Sequence, residues 1–303
     1  MDTPCAAVID LGSNSFKLLV ARSAHVDCVF EAYEDVRLLE KRDAGIISAE
    51  KFSQGIDAVK RLLDKAQKYE PTAIAIVGTS VFRTAANARE FAEAISEATG
   101  TPLRVLSGEE EAEGIAAGVL TDSLVRDLPR VPVIFDLGGG SLEFIGRGGN
   151  DVRSWPLGAV RVMNEFVREP KAALPPEIIR KIRRHVRECP ASELSVNISR
   201  ENPIVFCGGV LALAHHILAR KSGIESAIFP RKIPISSLEK LLADSAKKTV
   251  AERVAFDGVP ATRADIFPVA LAIVLEVADV CGVGELIFSP RNLRYGIAAK
   301  LLN

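Results

Sequence analysis

Hydrophobic residues recur along this chain in two alternating rhythms, which predict strands and helices in turn. Short continuous apolar runs bounded by turn residues read as buried strands, and apolar residues three or four apart read as helix faces. The segment Val8-Ile-Asp-Leu-Gly-Ser-Asn-Ser-Phe-Lys-Leu-Leu19 reads as strand, tight turn, strand. So does Ile134-Phe-Asp-Leu-Gly-Gly-Gly-Ser-Leu-Glu-Phe-Ile145. Residues 50–69 set Phe52, Ile56, Val59, Leu62 and Leu63 at helical spacing; Pro71 and a strand at 73–77 follow. A helix is expected at 85–98, a strand at 103–106 and a helix at 109–119. The polar stretch 121–132, with two prolines, reads as a linker. Beyond it come a helix at 176–188, a strand at 204–207 and helices at 211–221, 236–247 and 262–280. A strand at 285–289 and a short helix from Leu293 complete the pattern. Such alternation implies an α/β fold with helices packed on sheets.

The two hairpins are also copies of one another. Superposed at an offset of 126 residues, Asp10 falls on Asp136, Leu11 on Leu137, Gly12 on Gly138 and Ser15 on Ser141. Two halves opening on the same hairpin suggest a duplicated domain with a cleft between the copies. Coincidence is the alternative, because Asp-Gly turns between strands are common.

Composition narrows the function classes. A chain of 303 residues is twice the usual domain length of ~150, so two domains are expected. Hydrophobic residues at 48% and charged residues at 25% argue for a globular protein. Lys and Arg number 38 against 39 Asp and Glu, which disfavours a basic shell for nucleic acid. Aromatics at 6% leave few platforms for stacking bases. The five cysteines at 5, 28, 189, 207 and 281 form no CxxC, so reduced thiols in a cytoplasmic protein are expected. The N-terminus lacks a basic region and reaches Asp10 too soon for a signal peptide. The apolar run 266–275 is too short to cross a bilayer. A soluble, intracellular protein with no membrane or nucleic-acid partner is expected.

Five motifs carry chemistry. Turns dense in Gly, Ser and Asn let backbone N–H groups converge on an oxyanion, and Gly138, Gly139 and Gly140 exceed the glycine need of a simple hairpin. Gly12, Ser13, Asn14 and Ser15 on one turn and Gly138 to Ser141 on the other are therefore phosphate-binding candidates, with plain hairpins as the alternative. No GxxxxGK[ST] or helix-opening GxGxxG is present, which disfavours a Walker loop and dinucleotide binding. The copies differ where Lys17 corresponds to Glu143: a lysine suits phosphate, and a carboxylate suits Mg²⁺. Asp10, Asp136 and Glu143 together offer hard oxygen ligands, although each Asp could instead make an Asx-turn. Arg83, just past the carboxyl end of a strand, could grip phosphate bidentately or merely open a helix. Ser107 and Glu110 form a capping box, while Glu109 and Glu111 exceed capping need and one acidic residue could be a base. Gly208-Gly209 could approach a nucleotide or permit close helix–strand packing. Residues 180–187 are basic on one helix face, either solvated or in contact with a polyanion.

Together these segments resemble the exopolyphosphatase / guanosine pentaphosphate phosphohydrolase (Ppx/GppA) family. The resemblance rests on DLGSNSFKLLV, GTSVFRTAAN, SGEEEAEGIAAGV, FDLGGGSLEFI and FCGGVLALA, in that order, and on a tail running from Arg263 to Gly296. It implies two duplicated domains of the actin / sugar kinase / heat-shock ATPase type, with the active site in the cleft between them. The first domain would span 1–125, completed by a C-terminal helix at 291–303, and the second 126–290. It further implies Glu111 as catalytic base, Arg83 on phosphate, and Asp136 and Glu143 with the divalent metal. Tyr295 stands where the family often has Glu, so no role is carried to it. The chain ends where longer members continue into an extra helical domain, which implies no strong preference for long polymers.

The expected activity is Mg²⁺- or Mn²⁺-dependent removal of a terminal phosphate from polyphosphate or guanosine pentaphosphate. Lys17, Arg83 and the turn amides would hold phosphate, Asp136, Glu143 and Asp10 the metal, and Glu111 the attacking water. The partner is the substrate itself; a homodimer stays open. An ATP-using kinase or ATPase of the same fold, or a non-catalytic sensor of alarmone or polyphosphate, are the alternatives.

Overall fold

The computed structural model describes residues 4–38, 45–146, 149, 151–189, 202–255 and 259–303. The chain divides into two compact units, Met1–Arg126 with Arg291–Asn303, and Asp127–Pro290.

The first unit opens on β1 (Cys5–Leu11), β2 (Ser15–Arg22) and β3 (Asp27–Asp35), an antiparallel meander. After α1 (Ala49–Gln67), β4 (Ala73–Gly78) joins β1 in parallel. The helices α2 (Ser80–Thr84) and α3 (Ala88–Thr99) lead to β5 (Leu103–Val105), parallel to β4, and then α4 (Gly108–Leu120) and α5 (Ser123–Arg126) follow. The sheet order is β3-β2-β1-β4-β5. The second unit begins with another antiparallel meander, β6 (Val133–Leu137), β7 (Leu142–Ile145) and β8 (Val152–Trp155). Next come α6 (Ala159–Phe166), α7 (Pro176–Glu188), β9 (Ile204–Cys207) and α8 (Gly209–Lys221). The unit ends through β10 (Lys232–Pro234), α9 (Ile235–Ala246), α10 (Val250–Val254), α11 (Phe267–Cys281) and β11 (Glu285–Phe288). Its sheet order is β10-β11-β9-β6-β7-β8. Read from the third meander strand, β8-β7-β6-β9-β11 repeats β3-β2-β1-β4-β5, and β10 is an added edge. The expected duplicated α/β fold is present. A last helix, α12 (Leu293–Leu302), belongs to the first unit.

Period-two geometry explains the apolar run from Cys5 to Ile9 in β1. Cys5, Ala7, Ile9 and Leu11 face one side of the sheet, where Val59 and Leu62 of α1 and Phe91 and Ile95 of α3 cover them. Ala6 and Val8 face the other side and meet Tyr295 and Ala298 of α12. A strand buried on both faces needs apolar residues at every position. At Gly118 and Gly296 helix α12 lies against α4 without room for a Cβ between them. A Cβ on Gly118 would lie 1.9 Å from the Asn292 carbonyl oxygen, and one on Gly296 would lie 1.9 Å from that of Gly114.

In the second unit Phe135, Phe144 and Phe206 form the centre of the core. Helix α11 is buried from Phe267 to Ala278. It starts five residues later than the pattern predicts, because Pro268, which lacks an N–H, is placed in the first turn. The strands β3, β8 and β10 and the helices α6 and α10 are not anticipated from the pattern. In β3 only Phe30 and Ala32 reach the core, so the strand is largely polar. The predicted helix 85–98 begins only at Ala88, because Ala85 is extended after α2, a short helix the pattern does not anticipate. The predicted linker contains α5. Among the described residues no helix is long and apolar enough to cross a membrane.

Candidate functional site

In the first unit the β1–β2 turn is closed by the Gly12 N–H donating to the Ser15 carbonyl at 3.3 Å. In the second, Gly138 donates to Ser141 at 3.0 Å in the same way. The repeat is thus one of hydrogen bonding as well as of sequence. The Asn14 carbonyl accepts the N–H groups of Val36 and Arg37, and its Oδ1 accepts Arg37 Nε at 3.4 Å. The Gly138 carbonyl accepts the Ala159 N–H, and the Gly139 carbonyl accepts those of Val160 and Arg161. The Gly140 carbonyl accepts Arg161 Nε at 3.1 Å. Helix α6 comes this close because residue 158 is Gly: a Cβ there would lie 2.3 Å from the Gly140 and Ser141 backbone. The carbonyls of the second turn are therefore all engaged. The amide N–H groups of Ser13, Asn14, Gly139 and Gly140 donate to no group among the described residues.

The ladders dictate which side chains flank the turns. Asp10 is paired with Lys17 across β1 and β2, and Asp136 with Glu143 across β6 and β7. Directly opposite residues in an antiparallel pair share a face. Asp10 Oδ1 and Ser13 Oγ are buried without hydrogen-bond partners. Burial pushes the Asp10 carboxyl above its usual range, against the opposing pull of Lys17 and Arg294. Glu143, 1% exposed, accepts the Ser154 hydroxyl at 3.0 Å. Gly208 lies against Asp136, where a Cβ would sit 2.4 Å from Oδ1, and Gly209 lies against Arg263. Close packing accounts for this glycine pair.

Arg83 and Glu111 meet within the first unit. The short α2 carries Arg83 off the end of β4, and its Nη1 donates to Glu111 Oε2 at 2.7 Å and to the Leu106 carbonyl at 2.9 Å. Glu111 is buried in the first turn of α4. Its neighbour Glu110 accepts the Ser107 N–H at 2.9 Å while its own N–H donates to Ser107 Oγ at 3.1 Å, and it pairs with Arg104. The capping box forms as expected, and its geometry separates the two glutamates.

Among the described residues no group of three His, Cys, Asp or Glu converges to hold a metal. The Asp136–Glu143 pair still suits Mg²⁺, which commonly takes one or two carboxylates and fills its other positions with water and phosphate oxygens. Asp10 lies on the first unit, paired with Lys17. Part of the basic face of α7 is ion-paired: Arg183 and Arg187 reach the buried Glu276 at 2.6 and 2.5 Å. Arg180, Lys181 and Arg184 remain exposed. Sequence reading misses Arg37, Ser154, Gly158 and Arg161. Only the Gly-Ala-Val-Arg run at 158–161, directly after a short apolar stretch, offers a local signal.

Comparison with known proteins adds an independent line. The model of the Ppx/GppA phosphatase family matches residues 19–303. A guanosine-5'-triphosphate,3'-diphosphate pyrophosphatase of Vibrio parahaemolyticus is 27% identical over 311 aligned residues, covering 99% of this chain. A protein of the same description from Vibrio vulnificus is 26% identical, covering 100% of this chain. The chain spans 60% of the length of these curated relatives. Among solved structures, an exopolyphosphatase from Cytophaga hutchinsonii superposes with a TM-score of 0.87 at 20% identity, covering 98% of this chain and 97% of that one. The Aquifex aeolicus member of the matched family superposes with a TM-score of 0.78 at 21% identity, with the same coverage. These likenesses establish a shared fold.

Proposed function

The chain belongs to the Ppx/GppA phosphatase family, and on that premise we propose that it is a Mg²⁺-dependent phosphohydrolase. Its substrate is the terminal phosphoanhydride of inorganic polyphosphate or of guanosine pentaphosphate. The observation that carries this reading is the repeated turn. Open amides at Ser13, Asn14, Gly139 and Gly140, beside engaged carbonyls, present donors but few acceptors. Such a surface favours an oxyanion and disfavours a cation.

The chain's own groups divide the work. The amides of residues 12–15 and 138–141 bind phosphate oxygens, and Lys17 adds a charge beside the first turn. Arg83 positions phosphate through a guanidinium already oriented by the Leu106 carbonyl. Glu111, held by the same guanidinium, orients the attacking water and accepts its proton. Asp136 and Glu143 would hold Mg²⁺, and the metal when bound would offset charge on the phosphate oxygens. Ser154 keeps the Glu143 carboxylate in one orientation. The relatives' names support the two substrate choices, pyrophosphatase for guanosine pentaphosphate and exopolyphosphatase for polymer.

The test is a phosphate-release screen with polyphosphates of defined length, guanosine pentaphosphate and ATP. Release from the first or second is expected. Release from ATP alone would favour a kinase-like ATPase, and tight binding without release from any substrate would favour a sensor.

A further inference from the structure

Arg161 has a single side-chain partner among the described residues, the Gly140 carbonyl, which takes Nε at 3.1 Å. A guanidinium carries five N–H donors, so four are uncommitted. The side chain is half-buried, and among the described residues no carboxylate accompanies it. Withdrawing a cation partly from water without a counter-ion is costly, and an anion bound there would offset the cost. The anchor point matters too. Gly140 is one of the residues whose own amide is open, so the guanidinium is tethered at the turn proposed to bind phosphate.

The first unit repeats this arrangement by another route. Asn14 corresponds to Gly140, and Arg37 donates to it from Nε at 3.4 Å and from its backbone N–H at 2.9 Å. Arg37 holds a φ of 53°, a left-handed conformation that a non-glycine residue adopts at a cost. Position 163, which repeats position 37 at the hairpin offset, is Met. The two arginines are therefore not copies of one ancestral position, yet each reaches the third residue of its own unit's turn.

We propose that Arg161 is a phosphate-contacting residue that grips oxygens of the phosphoanhydride chain through its uncommitted N–H groups. The proposal deepens the phosphohydrolase reading and rests on it. Inorganic tripolyphosphate in the presence of Mg²⁺ is the probe, titrated calorimetrically into the wild type, Arg161→Gln and Arg161→Lys. Steady-state kinetics and melting of the unliganded proteins run alongside.

In Arg161→Gln, Kd and KM should rise about 10- to 100-fold, with a smaller change in kcat and an unchanged unliganded melting temperature. Arg161→Lys should recover only part of the affinity, since an ammonium cannot hold the Gly140 carbonyl and grip two oxygens at once. Arg161→Gln, which removes the charge, should show a shallower dependence of affinity on salt, and Arg161→Lys should keep the wild-type slope. Wild-type affinity in both variants would overturn the proposal, and so would a melting temperature that falls in step with affinity, because the residue would then only support the turn. If Arg161→Gln does not fold, Arg161→Lys decides by the same readings. A wild type that neither binds tripolyphosphate nor releases phosphate sinks the phosphohydrolase reading itself, and this proposal with it. Binding by the wild type with unchanged variants sinks the proposal alone.

Discussion

One residue step along a helix gives Glu110 and Glu111 different work. Successive helical residues point about 100° apart, so Glu110 turns back to its own N-cap while Glu111 turns inward to Arg83. Glu111→Gln preserves size and hydrogen bonding but removes the proton acceptor. Its kcat is expected to fall ~10²–10⁴-fold at saturating Mg²⁺ while the fold survives. Glu110→Gln can still close the capping box, so activity and melting temperature should stay near wild type. The comparison is read from kcat and thermal melting of the two variants; a dead Glu110→Gln beside an active Glu111→Gln would move the base by one residue. A second residue gives a pH prediction. His215 is packed against Phe229 and Phe288, and burial holds its imidazole below the usual range. The unfolded chain then binds more protons than the folded one, so stability drops as pH falls below ~6.5 toward the folded-state value. Chemical denaturation between neutral and mildly acidic pH should show this slope, and His215→Gln should flatten it.

The pairing of α4 with α12 governs where Glu111 sits. Glu111 lies less than one helical turn before Gly114, whose carbonyl lies 1.9 Å from a Cβ placed on Gly296. Gly296→Ala therefore forces the two helices apart, with an expected loss of about 1–3 kcal/mol on overpacking. Because α4 carries the proposed base, kcat should fall as well, measured well below the melting temperature. Unchanged stability and rate would show that the helices can slide without consequence. On α7, by contrast, Arg183 and Arg187 are tied to Glu276. That part of the basic stripe anchors the helix to α11, so a polyanion would meet only Arg180, Lys181 and Arg184 there.

For the molecule as a whole, a reaction that relies on Asp136 and Glu143 to bring in Mg²⁺ should stop on exhaustive chelation and return with Mg²⁺ or Mn²⁺. Full activity after chelation would exclude the metal. The duplicated hairpins were legible in the sequence because strand alternation and turn chemistry are local: Asp10-Leu-Gly and Asp136-Leu-Gly carry the turn wherever the rest of the chain goes. The capping box at Ser107 and Glu110 was legible for the same reason, since its partners lie three residues apart. Helices read from apolar spacing stand within a few residues of their observed ends, except where Pro268 and Ala85 impose backbone limits of their own. The polar edge strand β3 was not legible, because only its ladder with β2 makes it a strand. The meeting of Arg83 with Glu111, the approach of Arg37 and Arg161 to their turns and the seating of α12 on β1 join residues far apart in the chain. Local propensity carries no information about such contacts; they arise when burial of the sheet faces brings the helices down onto them.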